Sequence, residues 1–198
     1  MAKIIDYYFS PMSPWTYLGH ERFTAIARTH GAVINLKPVD YGRIFPVSGG
    51  LPVAKRPAQR QAYRLVELQR WRDYLGVPLN IHPKYFPYDS RLAALTIVAA
   101  GDTEKSLTLT AALLRACWTE EKNMADEQEI AAVIRACRLD STELLKRAMT
   151  PDTASRFEEL TDEAIERQVF GAPTYVYKQE LFWGQDRLDF LERALGKH

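Results

Sequence analysis

Hydrophobic residues near the start of the chain alternate between strand-like and helix-like runs. Ile4 to Phe9 is a short apolar run of β-favouring residues, which predicts a strand. Ser13 is typical of a helix N-cap and Pro14 of a first helical residue, so we expect a helix from here to about Thr29. Val33 to Val39 predicts a second strand. Strand, helix and strand in this order indicate a βαβ unit.

The middle of the chain has helical spacing nearly throughout, from residue 57 to about residue 170. Three prolines in segment 76–87 interrupt this spacing and predict a loop. Asp140 or Ser141, and also Thr150, are typical N-caps for two later helices. Apolar positions recur at intervals of three and four along this stretch, as in Leu65, Leu68, Trp71 and Leu75 and again in Ile130, Val133, Ile134 and Cys137.

Strand patterns return near the end of the chain. Thr174 to Tyr177 and Leu181 to Trp183 flank a short polar segment, which predicts a hairpin. Asp186 is expected to cap a last helix that runs to about Leu195.

The order of these elements predicts the fold class. A βαβ unit, a helical stretch and a ββα unit indicate an α/β protein with a thioredoxin-like fold and a large all-helical insertion domain. We expect residues 1–45 and 170–198 to form the thioredoxin-like domain and residues 46–169 to form the helical insertion domain.

Composition narrows the class of protein. The chain has 198 residues, of which 46% are hydrophobic and 26% charged, with a net charge of +1. Such a chain can bury a sizeable core and does not have the composition of a disordered protein. Near-neutrality argues against a general binder of nucleic acids or anionic membranes. The start lacks a signal peptide and no segment is apolar enough to span a bilayer, so we expect a cytoplasmic protein.

Cysteines and histidines are too few and too scattered to indicate a metal site. Cys117 and Cys137 are far apart in sequence, and none of the four histidines stands at metal-ligand spacing from a cysteine. We therefore expect no metal. Both cysteines fall on apolar helix faces, which predicts buried and unreactive thiols.

Ser13 is the first candidate for chemistry. In thioredoxin-like folds the reactive atom lies at the N-terminus of the helix after the first strand, where free N–H groups stabilise an anion. Because no cysteine stands near this point, thiol–disulfide exchange by the protein itself is excluded. Ser13 has no base tied to it by a motif. It either only caps the helix or also donates a hydrogen bond to the thiolate of another molecule.

Two further segments stand at strand boundaries, Val169 to Thr174 and Trp183 to Leu188. Taken singly, the first is an ordinary turn into a strand and the second an ordinary helix start. Taken together with Ser13, they are the places where a thioredoxin-like protein pairs with a peptide-like ligand and holds its charged end.

Across essentially its whole length the chain resembles the 2-hydroxychromene-2-carboxylate isomerases, which belong to the DsbA-like superfamily with the kappa-class glutathione transferases. The ordered set of motifs is specific, although no single member is. The motifs that carry the resemblance are Ser13-Pro-Trp-Thr-Tyr-Leu18, Leu68-Gln-Arg-Trp71, Tyr74-Leu-Gly-Val-Pro78, Ala116-Cys-Trp118, Ala164-Ile-Glu-Arg-Gln-Val-Phe-Gly-Ala-Pro-Thr174 and Trp183-Gly-Gln-Asp-Arg-Leu188.

The resemblance implies a glutathione site. It implies that Pro173 is a cis-proline, that the backbone of Ala172 pairs with the cysteinyl part of glutathione, and that Ser13 contacts its sulfur. It further implies that the segment Gly184–Asp186 binds the γ-glutamyl end, through Gln185 and Asp186. Relatives often have valine where this chain has Ala172, and some have asparagine or serine in place of Gln185.

The resemblance also implies a reaction. The thiolate of glutathione adds reversibly to an unsaturated, anionic aromatic substrate, and the enzyme is a homodimer active in aromatic, naphthalene-like degradation. For the substrate carboxylate we expect a cationic pocket, with Lys55 and Arg56 as first candidates. Tyr85 and Trp118 are further candidates for substrate binding. Each of these four could instead be a solvated or packed side chain. Some relatives have an Asn-Arg pair where this chain has Ala54-Lys55-Arg56-Pro57.

Two alternatives stay open from the sequence. The first is a kappa-like glutathione transferase or peroxidase, which shares the glutathione site and differs in the second pocket. The second is a non-catalytic module that binds glutathione or a peptide.

Overall fold

Four strands from the two ends of the chain form one sheet in the structure, a computed structural model that describes residues 2–101 and 103–197. The strand order is β2-β1-β3-β4, with β1 parallel to β2 and the other two pairs antiparallel. The strands are β1 (Lys3–Phe9), β2 (Ala32–Pro38), β3 (Thr174–Tyr177) and β4 (Glu180–Trp183). The predicted pairing of the chain's two ends is confirmed. His198, the end of the predicted thioredoxin-like domain, lies outside the described residues.

Helices occupy most of the remaining chain, as the spacing predicted. They are α1 (Pro14–Thr29), α2 (Tyr41–Ser48), α3 (Ala58–Leu75), α4 (Arg91–Ala100), α5 (Thr103–Trp118), α6 (Glu127–Ala136), α7 (Ser141–Ala148), α8 (Pro151–Glu166) and α9 (Leu188–Gly196), with short 3-10 turns at Val53–Lys55 and Gln185–Arg187. The predicted caps are confirmed: Asp140 accepts a hydrogen bond from the Glu143 N–H, and Thr150 accepts one from the Thr153 N–H. Among the described residues, no helix is both long and apolar enough to cross a membrane.

Helix α2 is an element that the sequence analysis did not predict. It spans eight residues and contains Pro46, so its own propensity is low. Asp40 caps it by accepting a hydrogen bond from the Gly42 N–H at 2.7 Å. Tyr41 and Ile44 are buried against the sheet. Packing of these side chains against the sheet, and not helix propensity, therefore stabilises α2.

The start of the last helix corrects a second prediction. Asp186 does not cap α9, because residues Gln185–Arg187 form a 3-10 turn and the helix begins only at Leu188. The Asp186 carboxylate instead pairs with the neighbouring Arg187 guanidinium.

Helices cover both faces of the sheet. One face carries Tyr7 and Tyr175, which pack with Phe23 of α1 in a core that continues into the helical part at Leu113 of α5. The other face is covered by α2 and α8 through a smaller cluster. The two proposed domains thus share one hydrophobic core, and helix α2 crosses the proposed boundary at residue 45. The division into a thioredoxin-like domain and a helical insertion domain remains a proposal about the order of elements along the chain.

Candidate active site

The sheet brings three distant segments to one edge. Strand β3 pairs with β1 so that Thr174 faces Tyr8, and the same antiparallel register continues Pro173 toward Phe9. One residue further along the same register, the chain after Phe9 turns toward Ser13. The Gly184 N–H donates to the Pro173 carbonyl at 2.9 Å. This hydrogen bond brings the segment after β4 next to Pro173. The segments that the sequence analysis singled out are therefore neighbours.

Ser13 is the N-cap of α1, as predicted. Its backbone is extended, with φ −78° and ψ 125°, and its Oγ accepts a hydrogen bond from the Thr16 N–H at 3.2 Å. The side chain is half-buried. No acceptor for the hydroxyl proton of Ser13 lies among the described residues. Capping uses the oxygen as an acceptor and leaves the O–H able to donate, so the two roles are compatible.

The peptide bond between Ala172 and Pro173 is cis, which confirms that prediction. The Gly171 carbonyl before it accepts hydrogen bonds from the Tyr41 hydroxyl at 2.9 Å and the Thr174 hydroxyl at 2.6 Å. The indole of Trp183 packs directly over Gly171, where any Cβ would collide with it. Helix α2 through Tyr41 and strand β4 through Trp183 thus hold this turn in place.

The segment Gly184–Asp186 presents one of its two predicted polar side chains to solvent. Gly184 has φ +102°, a region that glycine adopts without strain. Gln185 is only 1% exposed, packs against Gly19 of α1, and accepts a 3.4 Å hydrogen bond from Arg22. Its Nε2 has no hydrogen-bond partner among the described residues. The exposed side chain here is that of Asp186.

The predicted substrate-binding residues occupy different environments. Lys55 is exposed at the end of a 3-10 turn. Arg56 is half-buried and donates from Nε to the Leu51 carbonyl at 2.8 Å. Burial and the nearby Arg60 lower the pKa of Arg56.

Tyr85 and Trp118 likewise differ in how far their side chains are exposed. Tyr85 lies on the surface beneath the Lys84 ammonium, which is 4.9 Å from its ring centroid. Trp118 is fully buried at the end of α5, with its ring centroid 5.0 Å from that of Phe86. The Trp118 indole N–H has no hydrogen-bond partner among the described residues.

The loop after α3 connects this aromatic pair to the helix that Ser13 begins. Tyr88 donates from its hydroxyl to the Pro11 carbonyl at 3.0 Å, and its N–H approaches the Met12 sulfur at 3.3 Å. The loop therefore lies against the turn before Ser13. The sequence analysis expected Tyr85 of this loop to bind substrate, but it did not predict the contact of Tyr88 with Pro11 and Met12, since a proline-rich stretch carries no signal of which element it packs against.

Arg64 is a second residue that sequence reasoning missed. It lies on α3, is 8% exposed, and has its guanidinium carbon 5.2 Å from the Phe86 ring centroid. The sequence contained an indication of this burial, because position 64 is one helical turn before Leu68 and therefore lies on the same apolar face.

The remaining titratable groups near α1 are unsuited to activate Ser13. His20 is buried two turns along the helix, and its ring nitrogens contact the Leu107 carbonyl and the Tyr7 hydroxyl. Burial lowers the pKa of His20 to about 4, so the ring is neutral at physiological pH. Cys117 is buried as predicted and its pKa is raised by burial to about 12, whereas Cys137 is only half-buried.

Comparison with known proteins gives concordant matches. A family model described as a DSBA-like thioredoxin domain matches residues 4–196. The 2-hydroxychromene-2-carboxylate isomerase of Sphingobium xenophagum is 31% identical over 196 residues, covering 98% of this chain and 99% of that protein. Glutathione S-transferase kappa 1 of Caenorhabditis elegans is 24% identical, covering 96% and 90%. A solved structure of a selenomethionine 2-hydroxychromene-2-carboxylate isomerase matches with a TM-score of 0.85 at 30% identity, covering 98% of this chain and 94% of that one.

Proposed function

The chain belongs to the DSBA-like thioredoxin family and, within it, to the 2-hydroxychromene-2-carboxylate isomerases, and from this we propose that it is a glutathione-dependent isomerase. Its proposed substrates are 2-hydroxychromene-2-carboxylate-type compounds of aromatic, naphthalene-like degradation. The observation that carries the proposal is the half-buried Ser13 hydroxyl, which caps α1 and donates no hydrogen bond within the described residues. The register of β3 on β1 brings the cis Ala172–Pro173 bond to the same edge of the sheet. A serine so placed donates to an anion while the helix dipole favours the same charge.

The residues at this edge fit a tripeptide thiol. The turn at Ala172 offers backbone groups in front of the strand. The segment Gly184–Asp186 adds a glycine backbone and the exposed carboxylate of Asp186. Asp186 is suited to the ammonium of a γ-glutamyl group, because it carries the opposite charge at the surface. Glutathione, when bound, would supply a thiolate that adds reversibly to the substrate.

Ser13 has a defined task in this proposal. A free thiol titrates near about 8.5, so only a small fraction is thiolate at neutral pH. The Ser13 O–H and the first free N–H groups of α1 favour the ionised form and lower that pKa. Because His20 is neutral and engaged elsewhere, the helix N-terminus and Ser13 act on the sulfur without a protein base.

The test compares Ser13→Ala with a matched loss of a helix cap. Ser13→Ala is expected to lower turnover roughly 10²-fold, as for loss of one donor to a developing anion, and to cost about 1 kcal/mol of stability. Thr150→Ala removes the N-cap of α8, away from the site, and is expected to cost similar stability with turnover unchanged. The measurements are the isomerisation rate with and without glutathione, the ultraviolet absorbance of the bound thiolate and the unfolding free energy.

Three results would contradict the proposal. Isomerisation at the same rate without glutathione removes the cofactor from the reaction. An unchanged thiol pKa and full activity in Ser13→Ala leave Ser13 as a helix cap only. No isomerisation by the folded wild-type protein refutes the proposed activity itself.

The similarity to the kappa transferase supports a second candidate, a glutathione transferase or peroxidase. This candidate uses the same glutathione site with a different electrophile. Conjugation of chlorodinitrobenzene, measured beside isomerisation of 2-hydroxychromene-2-carboxylate, distinguishes the two activities. Glutathione binding with neither activity would favour a non-catalytic module.

We also propose a cytoplasmic location, as expected from the sequence, and a homodimer, which rests on the family resemblance alone. Light scattering of the purified protein at micromolar concentration tests the dimer, and a monomer mass would refute it.

A further inference from the structure

Arg64 is a buried cation that has no anionic partner in the part of the chain that the structure describes. The residue is 8% exposed, and one terminal nitrogen of its guanidinium is fully buried without any hydrogen-bond partner among the described residues. No salt bridge within the described residues involves it. A buried guanidinium is costly to leave unpaired, and proteins normally pair such a group with a carboxylate or a carbonyl.

The groups that act electrostatically on Arg64 are cations. Burial and, to a lesser extent, the nearby cation Arg56 lower the pKa of Arg64 to about 10. Arg56 is in turn influenced by Arg60, one helical turn before Arg64. The first turn of α3 contains no acidic residue, and Pro57 offers no side-chain cap. Three cations thus lie close together over the start and the first two turns of α3.

The surroundings of Arg64 are also aromatic. Its guanidinium carbon is 5.2 Å from the centroid of Phe86, whose ring is 5.0 Å from that of Trp118. The indole N–H of Trp118 is a second buried donor that finds no partner within residues 2–101 and 103–197. The guanidinium of Arg64 and the indole of Trp118 thus lie near the same phenyl ring, and each carries a donor without a partner among the described residues. This arrangement suits a ligand that combines an anionic group with a flat apolar ring.

The loop places this cluster beside the site already described. Phe86 stands two residues before Tyr88, which contacts Pro11 and Met12 in the turn that leads to Ser13. Helix α3, which carries Arg64, also packs against helix α1. A ligand at Arg64 thus lies on the helical side of the Ser13 turn.

We propose that Arg64 is the residue that binds the carboxylate of the aromatic substrate, with Phe86 in contact with the ring. This inference rests on the proposed function, and it assigns the anion-binding role to Arg64 in place of the exposed Lys55. A carboxylate at this point accepts two parallel N–H bonds from the guanidinium, a geometry that lysine cannot offer. Arg56 lies close enough to add charge without direct contact.

The experiment uses a bicyclic carboxylate that cannot be isomerised. Chromone-2-carboxylate is titrated into the full-length protein by calorimetry, with chromone as the carboxylate-free probe. Arg64→Met is expected to weaken binding of the carboxylate about 10- to 100-fold, the range for loss of a charged hydrogen-bonded pair, and to leave chromone affinity unchanged. Arg70→Met is the matched control, since Arg70 lies on the same helix but is exposed and paired with Glu67.

Thermal unfolding supplies a second readout. Without ligand, Arg64→Met is expected to melt above the wild type, because the substitution removes an unpaired buried charge. The carboxylate probe is expected to raise the melting temperature of the wild type more than that of Arg64→Met. Should Arg64→Met fail to fold, Arg64→Gln serves in the same comparisons, with weaker carboxylate binding expected.

The outcomes separate this inference from the proposed function. Affinity of the folded Arg64 variant for the carboxylate within twofold of the wild type overturns the inference. Equal wild-type affinity for chromone and its carboxylate overturns it as well. Glutathione is titrated separately, and a wild type that binds the carboxylate through Arg64 but binds no glutathione refutes the proposed function while leaving the anion site standing.

Discussion

At the residue scale, His20 shows how burial changes the chemistry of a side chain. The ring is 3% exposed, with its Nε2 3.1 Å from the Leu107 carbonyl. Neutral imidazole satisfies this carbonyl by donating from Nε2. Burial disfavours the charged form and lowers the pKa of His20 from 6.5 to about 4. The folded protein therefore binds one proton less than the unfolded chain between these two pH values.

This pKa difference predicts a pH-dependent stability. The contribution of His20 is fully present above pH 6.5 and is lost as the pH falls toward 4, because protonation then favours the unfolded chain. The change over this window is about 3 kcal/mol. Denaturant unfolding of wild type and His20→Asn at several pH values measures it. The variant is expected to lose less stability over the window, and equal losses would show that other groups control acid unfolding.

At the element scale, one charge network joins two strands to a helix. Lys37 of β2 lies 3.0 Å from the Asp6 carboxylate of β1 and 2.6 Å from Glu163 of α8. Tyr8 donates to the same Glu163 oxygen at 2.7 Å. Burial raises the pKa of Glu163, but the hydrogen bonds from Lys37 and Tyr8 outweigh it, and the pKa falls below its ordinary value. The network fixes α8 on the sheet.

Removal of the shared cation is expected to be costly. Lys37→Met leaves Asp6 and Glu163 facing each other with reduced compensation, and we expect a loss of about 3 kcal/mol in unfolding free energy. Lys146→Met is the control, since Lys146 is exposed on α7 and its replacement is expected to change stability by less than about 0.5 kcal/mol. Urea unfolding measures both. Equal small losses would show that the network contributes nothing to the attachment of α8.

At the scale of the whole molecule, the thioredoxin-like part and the helical part share a core. The cluster that contains Tyr7 and Phe9 of the sheet also contains Leu113 of α5 and Ile130 of α6. Because the same buried contacts stabilise both parts, neither is expected to unfold while the other remains intact.

Hydrogen exchange of the backbone amides tests this expectation. Leu113→Ala, at a fully buried position, is expected to cost about 2–5 kcal/mol. The loss is expected to be equal for the slowest amides of β1 and of α5, since both exchange through global unfolding. Leu51→Ala, at an exposed position, serves as the control with little change. A loss confined to the helical part, with β1 unaffected, would show that this part unfolds independently.

The sequence by itself determined the elements whose signals are local. The apolar run of β1, the Ser13-Pro14 start of α1 and the caps at Asp140 and Thr150 depend on neighbouring residues, so periodicity and capping rules identified them. The cis bond before Pro173 came from the family resemblance and could not be derived from local propensity.

Tertiary structure decided what depends on distant residues. Helix α2 forms because Tyr41 and Ile44 are buried on the sheet, although its sequence is a poor helix former. Asp186 lost its expected role as a cap because Gln185 packs into α1 and shifts the helix start. The apolar stripe of α3 includes position 64, but only the structure shows that the Arg64 guanidinium packs near Phe86 and forms no salt bridge within the described residues. The presence of a counter-charge and the identity of the packing partner are properties of three-dimensional surroundings, which spacing along the chain does not encode.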